Sequence, residues 1–93
     1  MSAEEAQHLG LVFKVFPDNE LVDGAMGLAE RMARMPTKGI GLIKRSLNYS
    51  LQNTLNEQLA VEKDLQVQAG RTTDNAEGIA AFLEKRKPIF KGE

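Results

Sequence analysis

Only one stretch of the 93 residues, Leu11 to Phe16 (LVFKVF), reads as a β-strand, and that fact does most to set the fold class. The stretch is short, rich in β-branched and aromatic side chains, and bounded by Gly10 and by Pro17-Asp18-Asn19. A single strand has nothing within the chain to pair with, and an unpaired apolar strand is an open edge that folded proteins cover. The remainder is therefore expected to be helical. The strand is expected to join a sheet supplied from outside these residues.

The helical punctuation is dense. Ser2 and Glu5 form a capping box, in which hydroxyl and carboxylate each satisfy a backbone N–H, and Gly10 stands where a left-handed helix end is expected. Asp18 or Asn19 can cap a second helix, whose apolar residues Leu21, Val22, Ala25, Leu28, Ala29, Met32 and Met35 recur at three- and four-residue steps up to Pro36. Thr37 starts a third helix with Ile40, Ile43, Leu47 and Leu51 on one face. Thr54 and Glu57 make a second capping box, opening a fourth helix through Leu55, Leu59, Glu62, Leu65 and Ala69 to Gly70. Thr73 can cap a fifth from Asp74 to about Lys85, ended by Pro88, with Asp74 and Glu77 at its positive end and Lys85, Arg86 and Lys87 at its negative end. The expected class is mainly α: a short helix, one short strand, then about four helices.

Composition removes several functions. The chain has no cysteine, so disulfide frameworks, thiolate zinc sites and cysteine nucleophiles are excluded, and a reducing compartment suits it. Its charge sum of 12 minus 13 lacks the basic excess with which small domains hold nucleic acid. The longest apolar run, Ile79 to Leu83, is far short of the roughly 20 residues that cross a bilayer, and the start MSAEEAQH lacks the basic and apolar parts of a signal peptide. A soluble, cytoplasmic protein without nucleic-acid or membrane partners is expected.

Catalytic machinery is hard to draw. His8 is the only imidazole and has no second ligand type at helical spacing, so no metal site forms around it. Glu4 and Glu5 are adjacent and diverge on a helix. Lys38-Gly39-Ile40-Gly41 suggests a phosphate loop, but Lys44 stands where the third glycine of the fingerprint belongs, and close helix packing explains the pair better. Ser46, Tyr49 and Ser50 have no base within helical reach. Glu62, set in an apolar seam, is expected to pair with a lysine or arginine, the other reading being part of a functional site. The stretch Phe82 to Lys91 carries four cations against one anion, with aromatics near both ends. It reads either as a solvated, dipole-complementing helix end or as a site for a phosphorylated ligand.

Three segments in order, SAEEAQHLGLVFKVFPDNEL, LIKRSLN and TTDNAEGIAAFLEKRKPIFKGE, resemble the C-terminal portion of the crotonase (enoyl-CoA hydratase/isomerase) superfamily. The most specific pieces are A-x-x-x-G-L-V-x-x-V at Ala6 to Val15 and D-x-x-E-G-x-x-A-F-L-E-K-R-x-P-x-F at Asp74 to Phe90. The resemblance covers essentially the whole chain. It implies the last third of an enzyme whose N-terminal spiral of ββα units binds an acyl-CoA thioester and whose C-terminal helices drive assembly into trimers or dimers of trimers. The oxyanion hole and the acid/base carboxylates then lie outside these residues. This chain would hold no catalytic residue, no metal and no cofactor beyond the CoA of its substrate, and alone it would be inactive.

The same resemblance implies further roles. Residues 1–18 would dock on the absent core, and 19–93 would be the helical oligomerisation region. Phe82 and Lys85 match the family's A-F-x-E-K and would contact CoA as part of a lid. Gly70 replaces an aromatic residue of many hydratases and would open volume near the acyl pocket. With Q-x-x-A-G-R-T-x-D around it, the chain is similar to the branch that isomerises the ring epoxide of phenylacetyl-CoA. Two other readings stand beside this one: a stand-alone, self-associating helical module without catalysis, and a binder of acyl-CoA or another anionic nucleotide.

Overall fold

The computed structural model describes residues 1–93 as five helices: α1 (Ala3–His8), α2 (Leu21–Ala33), α3 (Thr37–Ser50), α4 (Leu55–Gly70) and α5 (Thr73–Leu83). The chain divides into two compact units, Met1–Arg31 and Met32–Glu93.

In the first unit α1 is closed at both ends as its sequence predicts. The Ser2 hydroxyl accepts from Glu5 N–H while the Glu5 carboxylate accepts from Ser2 N–H. At the other end Gly10 is left-handed, with its N–H donating to Gln7 C=O and the Leu11 N–H to Ala6 C=O, a Schellman closure. The expected strand is absent. Leu11, Phe13 and Lys14 stand exposed, and the Leu11 and Val12 N–H groups turn back to the end of α1 instead of reaching a neighbour. The reason is the one that made the strand an orphan: no second strand exists here to take its ladder. Lys14 lies 4.9 Å from the centre of the Phe16 ring, and that ring packs on the backbone of α2 at Gly24, where no side chain could fit.

In the second unit α3 and α4 form an antiparallel hairpin across a four-residue turn. The Thr54–Glu57 capping box opens α4. The Gln58 amide donates to both the backbone and the hydroxyl oxygen of Ser46, tying the two helices near the turn. Leu42, Leu65 and Ala81, one from each of α3, α4 and α5, are the buried apolar residues. α5 starts one residue earlier than its sequence suggested. Thr72 is the cap, accepting from Asn75 N–H, because the Thr73 hydroxyl is spent on the main-chain oxygen of Glu93. The helix ends at Leu83 rather than Lys85, since Lys85 turns left-handed at φ 54°.

Most of the apolar stripes remain uncovered. Leu21, Val22, Met26 and Met32 of α2, Ile43 and Leu47 of α3, and Leu55 and Leu59 of α4 are all exposed. The chain presents 7845 Å² to solvent, whereas two separate globules with the masses of its two units would present roughly 6,400 Å² together. These faces were expected to be buried from their periodicity and are exposed instead. Gly39 and Gly41 likewise have open space around them rather than a close neighbour. No helix is long and apolar enough to cross a membrane.

Candidate functional site

The basic C-terminal segment is neither a frayed helix end nor a uniform cluster of cations. Its shape follows from how α5 terminates. The Lys85 N–H donates to Phe82 C=O and the Arg86 N–H to Ala81 C=O. This is the closure that Gly10 makes after α1, here with a lysine in the glycine position. A side chain in that conformation costs on the order of 1–2 kcal/mol, so other contacts have to hold it.

The first of those contacts come from Arg86. Its guanidinium forks onto Glu77, with Nη1 to Oε1 at 2.6 Å and Nη2 to Oε2 at 3.0 Å, while Nε meets Glu84 Oε2 at 2.6 Å. Two planar groups meeting edge to edge fix direction as well as distance. The Arg86 hydrogen bonds, with a further one from Ile89 N–H at 2.9 Å, hold the Glu77 carboxyl down at about 2 against an ordinary 4.5. The same partners raise the already high basicity of Arg86. Arg86 is thus a structural cation, and Lys85, Lys87 and Lys91 carry no ion pair.

Beside this turn lies a groove of about 410 Å³ whose walls include Pro36, Gly78, Ile79, Phe82, Leu83 and Phe90. Phe82 is 82% exposed at its rim. Two of the residues singled out from sequence, Phe82 and Lys85, are therefore neighbours at the C-terminal end of α5. Gly70 is not with them. It ends α4, accepts a hydrogen bond from the Asn75 amide, and has open space where a side chain would stand. The 11 residues of α5, about 16 Å of helix, separate it from Lys85.

Asp74 and Glu77 are the residues whose part was missed. Both looked like carboxylates favouring a helix N-terminus; both instead take backbone N–H groups from the C-terminal tail. The D-x-x-E spacing three residues apart on one face was the available signal. Glu62 also departs from expectation, because its nearest polar partner is the Gln58 amide at 3.2 Å and no cation meets it. It borders a second groove, of about 330 Å³, between α3 and α4. His8 is exposed, and no group of three His, Asp or Glu side chains is placed to hold a metal ion.

The family model described as enoyl-CoA hydratase/isomerase matches residues 1–93, and the chain belongs to that family. It is 46% identical over all its residues to the 1,2-epoxyphenylacetyl-CoA isomerase of Escherichia coli K12, covering 36% of that protein. It is 40% identical over 92 residues to the 2,3-dehydroadipyl-CoA hydratase of the same organism, again covering 36%. Among solved structures, an enoyl-CoA hydratase from Polaromonas sp. JS666 superposes with a TM-score of 0.85 at 38% identity, over 98% of this chain and 35% of that one. The chain thus spans little more than a third of the length of the relatives it matches.

Proposed function

We propose that these residues are the C-terminal helical region of an enzyme that isomerises or hydrates acyl-CoA thioesters, with isomerisation of a ring-epoxide thioester as the specific reaction. The observation that carries this is the 46% identity, over all 93 residues, to the 1,2-epoxyphenylacetyl-CoA isomerase. In the whole enzyme residues 1–18 dock on the catalytic core, and 19–93 make contacts between subunits. The excess of exposed surface, on the order of 1,400 Å² and including many apolar side chains, is close to what a standard protein interface buries. Phe82 and Lys85 cover part of the CoA moiety, the ring on its apolar stretch and the ammonium near phosphate. Gly70 leaves room for a bulky acyl group. The chemistry belongs to the core, where two backbone N–H groups hold the thioester oxygen as it becomes an enolate, each worth on the order of 3–4 kcal/mol.

The deciding experiment is to recover the protein from its source cell with an antibody to these 93 residues, measure its mass, and assay it. A chain near 260 residues, as the 36% coverage implies, that turns over the epoxide thioester in preference to crotonyl-CoA supports the proposal. Fast crotonyl-CoA hydration with no action on the epoxide would place it in the hydratase branch. A cellular protein of 10.3 kDa alone would overturn the enzyme reading. Calorimetry of the 93-residue chain with CoA is expected to show weak or no binding. Tight binding lost in Lys85→Ala would instead favour a nucleotide-binding module.

A further inference from the structure

The tail after α5 runs back along the helix it has just left. Arg86 and Ile89 are held by Glu77, Phe90 lies over Gly78 at 3.6 Å from where a Cβ would be, and Lys91 and Gly92 reach Asp74. The lengths agree: from Asp74 to Glu84 the helix rises about 15 Å, and the six residues from Lys87 to Gly92 extend to roughly 20 Å.

Asp74 is 4% exposed, an unusual place for a carboxylate, and it is fully satisfied. Its Oδ1 accepts from Lys91 N–H at 2.7 Å and its Oδ2 from Gly92 N–H at 2.8 Å. Successive N–H groups, the second on a glycine at φ 77°, form the kind of concavity that elsewhere holds a bound anion. Here the anion is the protein's own. The Asp74 N–H and the Thr73 hydroxyl close the loop by donating to the main-chain oxygen of Glu93. Helix capping does not account for Asp74, because Thr72 is the cap.

We infer that Pro88–Glu93 is a strap, that Asp74 and Glu77 are its positioning residues, and that the docked strap holds the left-handed turn at Lys85, setting where that ammonium stands relative to Phe82. The consequence for CoA rests on the proposed function above; the strap itself does not. The argument turns on Lys85. Its conformation is unfavourable for a lysine, and the residues on its C-terminal side are fixed at three successive points along α5. Releasing the strap frees Lys85 to leave the left-handed region and carries its side chain away from Phe82.

The test is amide exchange and NOE spectroscopy on the 15N-labelled chain. Slow exchange is expected at Ile89, Lys91 and Gly92, together with the strong intraresidue Hα–HN NOE that marks positive φ at Lys85. Asp74→Asn keeps the size but loses the charge and sets an NH2 against one of the two N–H donors. Exchange at Lys91 or Gly92 should rise tenfold or more and the Lys85 NOE should weaken, while exchange at Ala81 and Phe82 holds. If Asp74→Asn also opens α5, Glu77→Gln gives the same reading at Ile89. Unprotected tail amides in the unaltered chain, or no change in either variant, would overturn the strap. Faster tail exchange with an unaltered Lys85 NOE would overturn its link to Lys85. A failed CoA titration leaves all these signals untouched, so loss of the functional proposal and loss of this one are separable.

Discussion

Gly24 and Gly27 stand one turn apart on α2, and the same change to alanine should move stability in opposite directions. In a helix interior alanine is better than glycine by roughly 0.8–1 kcal/mol. At Gly27 nothing lies within 4 Å of the position a Cβ would take, so Gly27→Ala should collect that gain. At Gly24 the new atom would meet Phe16 Cδ1 and Cζ at 2.6 and 2.8 Å, and Cε1 closer still. The ring must leave. A wholly buried aromatic hides roughly 150–250 Å². Phe16 is half-buried, so displacing it exposes on the order of 80 Å², or about 2 kcal/mol at 25 cal/mol/Å². The helix gain offsets half of this, leaving Gly24→Ala destabilised by about 1 kcal/mol and the two variants about 2 kcal/mol apart. Urea unfolding followed at 222 nm should separate their midpoints by roughly 1 M. In a Phe16→Ala background the difference should vanish, with both alanines stabilising. A Gly24→Ala protein as stable as Gly27→Ala, or a gap that survives loss of Phe16, would refute the packing of that ring on α2.

Acid should loosen the C-terminal strap late. The Glu77 carboxyl titrates lower in the folded chain than its ordinary 4.5, so its contribution is present above pH 4.5 and drains away as pH falls toward about 2; tail amide exchange against pH checks this. Leu65→Ala should cost about 2–3 kcal/mol and lower the urea midpoint, because Leu65 is one of only three buried apolar residues. Thr54→Ala removes the hydroxyl half of the α4 capping box and should cost about 1 kcal/mol, read in the same unfolding assay. The 93-residue chain should self-associate through its uncovered faces, and light scattering that finds a stable monomer at high concentration would count against that expectation.

Local chemistry was legible and long-range contact was not. Both capping boxes, the left-handed Gly10, the α4 boundaries and the helical class could be read directly, because each depends on groups within four residues of one another. The strand at Leu11–Phe16 was misread because its composition is that of a strand while its pairing partner is missing. The stripes did not predict burial: α3 buries Leu42, off the expected Ile40, Ile43, Leu47 and Leu51 face, and α2 buries nothing fully. Periodicity says which residues share a face; it does not say what that face meets.

The candidate site divides the same way. Phe82 and Lys85 were named on a family motif that passes through them, and their contact with CoA is a proposal; the structure adds that Lys85 lies beyond the end of α5. The sequence also determined that the chain ends in a helix followed by a proline-led basic tail, since propensity and Pro88 act locally. Only the tertiary structure decided that Arg86 is spent on Glu77 and Glu84, that Lys85 is left-handed, and that Asp74, 17 and 18 residues before Lys91 and Gly92, is the anchor of the tail. A carboxylate's partner is chosen by which donors the folded backbone brings within about 3 Å, and no spacing rule along the chain encodes a path that doubles back on itself.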